Sequence, residues 1–301
     1  MDRKLNLRVH AGMFSVSALF SLNYIISKLG MRAFNPLAFA YLRVLGGAAV
    51  LSLLVNVGRA SARPGRAEAR PTSPEDRKLV VVFSLLGVVL NQTLFLTGLS
   101  FTDAHVAAIL ITTIPVLTLA VAMIAGRERA TPMKVGGIVL AGAGALLVVG
   151  GEGAFGSMHA LIGAALITGN CLAYALYLVV SKPAMARLSP RLVTARMFAY
   201  ASVMMLPIAG VPLARQSWTT VPPRAWVALA LVIIGPTVAA YWINAWTLQY
   251  ADASTVATYV YVQPVLTAIL AMMFLGERIR AIAIVAAAMI FAGVAMTSRR
   301  S

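Results

Sequence analysis

Asn170, Tyr174, Tyr177 and Ser181 stand at i, i+4, i+7 and i+11, a spacing that lines one face of a helix with amide and hydroxyl groups. Groups of this kind hold a solute by hydrogen bonds and leave its covalent bonds alone. A shift of about 154 residues brings Asn23 and Ser27 under Tyr177 and Ser181, so a related stripe lies early in the chain. Further polar groups interrupt apolar sequence at Asn91, Gln92 and Thr93, and at Tyr241, Trp242, Asn244 and Trp246. Tyr259 and Gln263 share one helix face, with Thr258 and Tyr261 on a neighbouring one. Tyr and Trp join apolar bulk to one polar tip, which suits an amphiphilic solute. The expected binding set is Asn23, Asn91, Asn170, Tyr174, Tyr177, Trp242, Tyr259 and Gln263. Helix-to-helix hydrogen bonding is the competing role for the stripes, and an aromatic belt is the competing role for the rings, claiming Trp218 and Trp226. Catalysis has little to work with: His10, His105 and His159 are scattered, Cys171 is the only cysteine, and no acidic pair falls within an apolar stretch. No catalytic residues, metal or cofactor are expected, and a membrane-embedded enzyme is the least favoured class.

The composition says what must carry these residues. With 60% hydrophobic and 11% charged residues, and nine acidic ones among 301, the chain has more apolar surface than a soluble core could hide. Apolar stretches recur at about 10–33, 36–57, 79–98, 104–125, 134–151, 160–181, 192–213, 225–249, 254–275 and 280–298. Each is long enough for a helix to cross about 30 Å of hydrocarbon. The expected fold is an all-α membrane protein of ten transmembrane helices, with one sizeable loop at about 58–78 that reads as mobile. The basic start "MDRKLNLR" precedes a retained helix and not a cleaved signal, because Asn23, Tyr24 and Lys28 occupy the place of a cleavage site.

The net charge of +16 is distributed unevenly. With the N terminus inside, 17 of the 25 Lys and Arg fall in inside segments and six outside, which sets both termini in the cytoplasm. Anionic lipid of the cytoplasmic leaflet is the expected partner of that charge; nucleic acid is excluded for want of a folded basic domain. Arg43 and Arg196 each enter a span by a turn or two. Snorkelling to the interface is favoured for them over binding a substrate carboxylate, which leaves a lining without fixed charge.

"PVLTLAVAMIAGRER" from Pro115 and "PVLTAILAMMFLGER" from Pro264 are copies about 149 residues apart. The same shift pairs Asp103 with Asp252, Thr118 with Thr267, Glu128 with Glu277 and Gly144 with Gly293. A five-helix unit is thus written twice, over residues 1–153 and 154–301. Because five is odd, the second copy enters the membrane inverted, an arrangement that places a substrate path between the halves. Each proline deprives a carbonyl of its partner, that of Ile111 or Val260, near the midplane, so Pro115 and Pro264 are expected hinges, with a static kink as the alternative. Asp103 and Asp252 have the position and type of helix N-caps, and Glu128 and Glu277 that of boundary ion pairs. With no carboxylate in the middle of a span, facilitated or weakly coupled transport is favoured; His105 is the only histidine expected near a pathway. Small residues in the fifth and tenth spans, Gly137, Ala141 and Ala145 among them, read as scaffold.

"NPLAFAYLRVLGGAAV", "NQTLFLTGLSFTDAHVAAILITTIPVLTLAVAMIAGRER" and "GERI", with the duplication, resemble the drug/metabolite transporter superfamily and its EamA-type exporters over nearly the whole chain. The resemblance implies export of amino acids and related small metabolites by alternating access across a bacterial inner membrane, and suggests the YddG-type amino-acid exporters as a subgroup. A monomer is the expected assembly. Carriers of phosphorylated metabolites or nucleotide sugars are the alternative from the same superfamily, and they would want Lys or Arg deep in the cavity.

Overall fold

The computed structural model describes residues 3–60, 73–151, 157–185, 188–240, 243, 247 and 259–298. Every described element is helical, as lipid requires of a backbone that must satisfy its own N–H and C=O groups. In chain order the helices are α1 (Arg3–Gly30), α2 (Pro36–Ala60), α3 (Pro74–Ser84), α4 (Asn91–Phe101), α5 (Ala104–Ile111), α6 (Ile114–Ile124) and α7 (Pro132–Gly151). They continue as α8 (Met158–Met185), α9 (Pro190–Met204), α10 (Leu206–Ala214), α11 (Pro223–Val232), α12 (Val262–Leu275) and α13 (Ala281–Ser298). Six helical segments are long and apolar enough to cross a membrane, and α9 with α10, bent by 57°, would make a seventh. Shorter apolar helices at Pro223–Ala239, Val262–Leu275 and Ala281–Thr297 fall on the remaining apolar stretches. The chain is a multi-pass membrane protein.

Proline opens α2, α3, α7, α9 and α11, where its missing N–H costs no intrahelical bond. At α3 the Ser73 hydroxyl also accepts the Asp76 N–H at 3.0 Å. That start makes the loop shorter than the sequence reading: Gly58–Ala60 continue α2, Pro74–Lys78 begin α3, and 61–72 lie outside the described residues.

Several stretches are less regular than their hydropathy implies. A π-helical turn, Leu85–Leu90, joins α3 to α4, and a second, Ile233–Ala239, extends α11 around Pro236. The fourth stretch divides at Thr112–Thr113. Pro115 cannot donate to Ile111, and the Thr112 and Thr113 hydroxyls fold back onto the carbonyls of Ile109 (2.6 Å) and Leu110 (2.7 Å). The seventh stretch bends at Met205, just before Pro207 in the first turn of α10.

Packing pairs helices of the first 153 residues with helices of the rest: α7 with α13, α4 with α8, α2 with α9, α1 with α12 and α11, and α6 with α8. The α7–α13 seam is made of small residues, Gly137, Ala141 and Gly144 facing Gly293 and Ala286. Ile124, Leu146, Met273 and Ile284 stay exposed on the outer surface, where lipid tails are as apolar as they are.

Candidate functional site

A cavity of about 500 Å³ lies among α1, α2, α4, α5, α6, α8, α9, the second π-helical turn and the segment from Tyr259 to Gln263. Six of the expected binding residues line it, Asn23, Asn91, Asn170, Tyr174, Tyr259 and Gln263, together with Pro115. Tyr177 does not. One turn beyond Tyr174 it has passed the end of the cavity, packs edge-on against Phe83 and lines a second groove between α6 and α8. Pro264 is buried in the first turn of α12 and is not among the cavity-lining residues. Trp242, with Tyr241, Asn244, Trp246, Asp252 and Thr258, lies outside the described residues.

The wall is an amide network. Asn170 donates through Nδ2 to the carbonyl of Asn91 at 2.8 Å, directly after the first π-helical turn. Gln92 donates to Asn91 Oδ1 at 3.0 Å, and Ser27 to Asn23 Oδ1 at 3.2 Å. Asn170 Oδ1 and Gln92 Oε1 are buried with no hydrogen-bond partner among the described residues, and neither oxygen has surface open to the cavity. His10 Nδ1 lies 2.8 Å from the Tyr259 hydroxyl, so His10 and not His105 reaches the wall. Sequence reading missed this because α1 and the Tyr259 segment are far apart in the chain.

Carbonyls beside the two prolines find side chains. Ser17 donates to the Tyr259 carbonyl at 2.6 Å, and the Cys171 thiol lies 3.6 Å from that of Leu110. Ser17 and Cys171 are related by the shift of about 154 residues, and Leu110 and Tyr259 by that of about 149.

Arg43 corrects the expectation of a lining without fixed charge. It is 5% exposed, lines the cavity, and donates through Nε to Thr237 Oγ1 at 3.0 Å. Thr237 sits in the second π-helical turn and donates its own proton to the Val232 carbonyl at 2.9 Å. Snorkelling fails because α2 packs against both α9 and that turn, which close over the side chain. Arg196 is half-buried and off the cavity. No Asp or Glu lines the cavity among the described residues.

Charged residues gather instead at the two ends of the α5–α6 span. At its start, Glu277 accepts the N–H of Ala104 (2.8 Å) and of His105 (3.2 Å), meets His105 Nδ1 at 2.7 Å and pairs with Lys28 at 3.1 Å. Asp103 occupies the N-cap position but makes no side-chain cap bond; it lies 3.7 Å from Lys28. The cap expected of Asp103 is thus supplied by Glu277 from the other half of the chain. Burial opposes the charge on Glu277, but His105, the two N–H groups and Lys28 outweigh it and hold the carboxyl at about 2.

At the other end of the span, Glu128 makes the same backbone turn as Glu277: their N–H groups bond to the matched carbonyls of Ala122 and Ala271, each at 3.2 Å. Glu128 is nevertheless half-exposed and pairs with Lys134 at 2.9 Å, which lowers its carboxyl below the usual value. Glu128 and Lys182, the counterpart of Lys28, line the second groove, about 620 Å³, which shares Pro115 and Tyr174 with the cavity. Arg127 ties the end of α6 to α8 through the Val179 carbonyl.

The sequence pattern of the EamA-like transporter family matches residues 8–150 and again residues 161–299. An uncharacterized transporter of Archaeoglobus fulgidus is 27% identical over 98% of this chain and 99% of its own. The uncharacterized transporter YoaV of Bacillus subtilis is 24% identical over 97% of both chains, and YvbV of the same organism 27% identical over 86% of this chain and 81% of its own. A solved crystal structure aligns over 99% of this chain and 98% of its own with a TM-score of 0.61 at 16% identity, a likeness of fold alone.

Proposed function

We infer the function from one premise: this chain belongs to the EamA-like transporter family, within the drug/metabolite transporter superfamily. Membrane transport of a small solute is common ground with relatives that are transporters by name. On that ground we read the chain as an exporter of amino acids or related small metabolites, working by alternating access in a bacterial inner membrane with both termini cytoplasmic. The path runs through the cavity between two inverted five-helix repeats, residues 1–153 and 154–301. The double family match supports the repeats, as do the two π-helical turns at matching positions and the Ser17 and Cys171 contacts.

The unequal state of the two ends carries the reading. Residues that the repeat makes equivalent differ at the two ends: Lys28 pairs with Glu277 at the start of α5, whereas Glu128 pairs with Lys134 and lines a groove together with Lys182. A two-state device whose halves exchange roles would look like this when caught in one state. Under the proposed orientation the clamped end is the outer one, so the state is inward-open. A single guanidinium among the described lining residues, where a phosphate carrier would want a cluster, supports a cargo with at most one strong negative group.

Reconstitution tests this directly. Labelled amino acids with apolar or aromatic side chains are expected to enter proteoliposomes down their own gradient, with no proton or sodium gradient imposed. Asn170→Ala and Tyr174→Ala each remove one wall group and should lower uptake about tenfold with folded protein retained. Uptake that begins only when an ion gradient is applied would sink the facilitated mechanism, and wild-type rates in both variants would remove the cavity from the path.

Pro115→Ala probes the break in the same span. It restores a donor for the Ile111 carbonyl, a bond worth about 1 kcal/mol net, so the melting temperature should hold or rise while transport slows. A destabilised variant with normal transport per folded molecule rules the hinge out. The same pair of measurements applies to Pro264→Ala.

A further inference from the structure

We propose that the groove between α6 and α8 is a seat for an anionic phospholipid, with its phosphate on Lys182 and Arg127 and an acyl chain running between the two helices toward the cavity. The seat does not depend on what the cavity carries; only its assignment to the cytoplasmic leaflet rests on the orientation proposed above.

The groove is about 620 Å³, far more room than an inorganic phosphate needs, and its lining comes from α6, from α8 and from Arg127 and Glu128 just past α6. Thr118, Leu119 and Ala122 line it on one helix, and Tyr177, Leu178 and Ser181 on the other, spacings that set each group along one face. From Tyr174 to Lys182 that cleft runs about 12 Å along α8. It meets the cavity at Pro115 and Tyr174, and no third helix among the described residues walls its other side, which leaves lipid to fill it.

The cations stand where headgroups lie. Lys182 is in the last turn of α8, Arg127 follows the end of α6, and both are exposed. Arg127 is placed by the chain itself: Pro183 has no N–H to give the Val179 carbonyl, and Arg127 donates to it instead. That partner is neutral, so the bond leaves the guanidinium charge without a counterion. Lys182 makes no ion pair among the described residues, and Glu128, the carboxylate of the lining, is already paired with Lys134 at 2.9 Å, which is what chiefly lowers its carboxyl. Two cations beside an apolar cleft between spanning helices are suited to an acidic headgroup. The matched end of the other repeat is built differently. There Lys28 meets two carboxylates, Glu277 and Asp103, and the repeat shifts place Gly276 where Arg127 stands and Leu29 where Pro183 stands. The basic cleft thus belongs to one end of the molecule. A headgroup on Lys182 also keeps it from making with Glu128 the contact that Lys28 makes with Glu277.

The test titrates the full-length, delipidated protein in detergent with phosphatidylglycerol, phosphatidylethanolamine or inorganic phosphate, reading bound lipid by native mass spectrometry beside the melting temperature. Phosphatidylglycerol is expected to bind about tenfold more tightly than phosphatidylethanolamine, in line with one charge-assisted contact, and high salt should narrow the gap. This comparison needs no variant. Lys182→Gln and Arg127→Gln should each reduce the preference and together abolish it. Ala122→Phe, which fills the cleft and leaves both cations in place, should displace the lipid as well. Arg280→Gln is the control, since its guanidinium also meets a carbonyl, that of Gly151, but near the Glu277 end; it should leave binding unchanged. Equal binding of the two lipids, a preference that survives the double variant or the filled cleft, or an equal loss with Arg280→Gln overturns the proposal. A melting shift given equally by inorganic phosphate means a free-anion site and overturns it too.

Discussion

Gly293→Val is expected to destabilise the protein by about 3 kcal/mol or more, the upper end of what overpacking costs. A Cβ at Gly293 would stand 2.5 Å from the Gly137 carbonyl oxygen and 2.8 Å from the Ala141 nitrogen, both backbone atoms that cannot swing away. The reciprocal Cβ at Gly137 would meet the Gly293 oxygen at 2.6 Å, so the two helices touch backbone to backbone. In lipid no hydrophobic force draws α7 to α13, and close packing has to hold the seam. Parting the helices by the width of a methyl forfeits contacts along its whole length. Gly142→Ala is the control, since it lies on the same α7 and a Cβ there meets nothing within 4 Å. That variant should be neutral or more stable by up to about 1 kcal/mol from helix propensity. Melting curves in detergent compare the two, and similar losses from both would mean the seam is not what holds these helices together.

Glu277→Gln is expected to cost on the order of 3 kcal/mol, while Glu128→Gln at the matched position of the other repeat should change stability little. Glu277 is 6% exposed and satisfies two backbone N–H groups, His105 and Lys28 together; Glu128 is 47% exposed and meets one lysine. Removing the charge leaves Lys28 and the start of α5 without their buried counterion. The pH dependence has a definite sign. A carboxyl held at about 2 in the folded protein, against 4.5 as the ordinary value, stabilises fully above about pH 4.5, and that contribution fades as pH falls toward 2. Glu277→Gln should flatten the acid limb of the melting profile, and Glu128→Gln should not. On the proposed reading of this cluster as a closed gate, Glu277→Gln should also raise the accessibility of a cysteine introduced at Ser17 to reagent from the α5 end. Equal effects of the two glutamates on both readouts would contradict a clamp specific to one state.

The sequence by itself determined that the chain is helical and crosses the membrane several times, and that its sequence pattern recurs. It also determined which residues share a face, because a period of 3.6 is a property of each helix alone. Asn170 and Tyr174 were therefore legible as one stripe, and both line the cavity. The prolines were legible as interruptions, and the fourth stretch does break just before Pro115. Periodicity is silent about which neighbour covers a face and how far along the helix the cover extends. Tyr177 continues the stripe of Tyr174 yet falls past the end of the cavity, since helix packing and not spacing decides where a cavity stops. Arg43 looks from its position like a residue able to reach the interface; α9 and the second π-helical turn shut that route and give it Thr237. Asp103 has every local sign of a cap, and a carboxylate 174 residues further on takes the bonds, because the cap goes to whichever acceptor the tertiary fold brings nearest with the better geometry. The two halves carry equivalent residues at Lys28 and Lys182, and at Glu277 and Glu128. Only tertiary packing decided that Glu277 is buried against Lys28 and the start of α5 while Glu128 is half-exposed beside Lys134, since equivalent residues of a repeated sequence meet different neighbours.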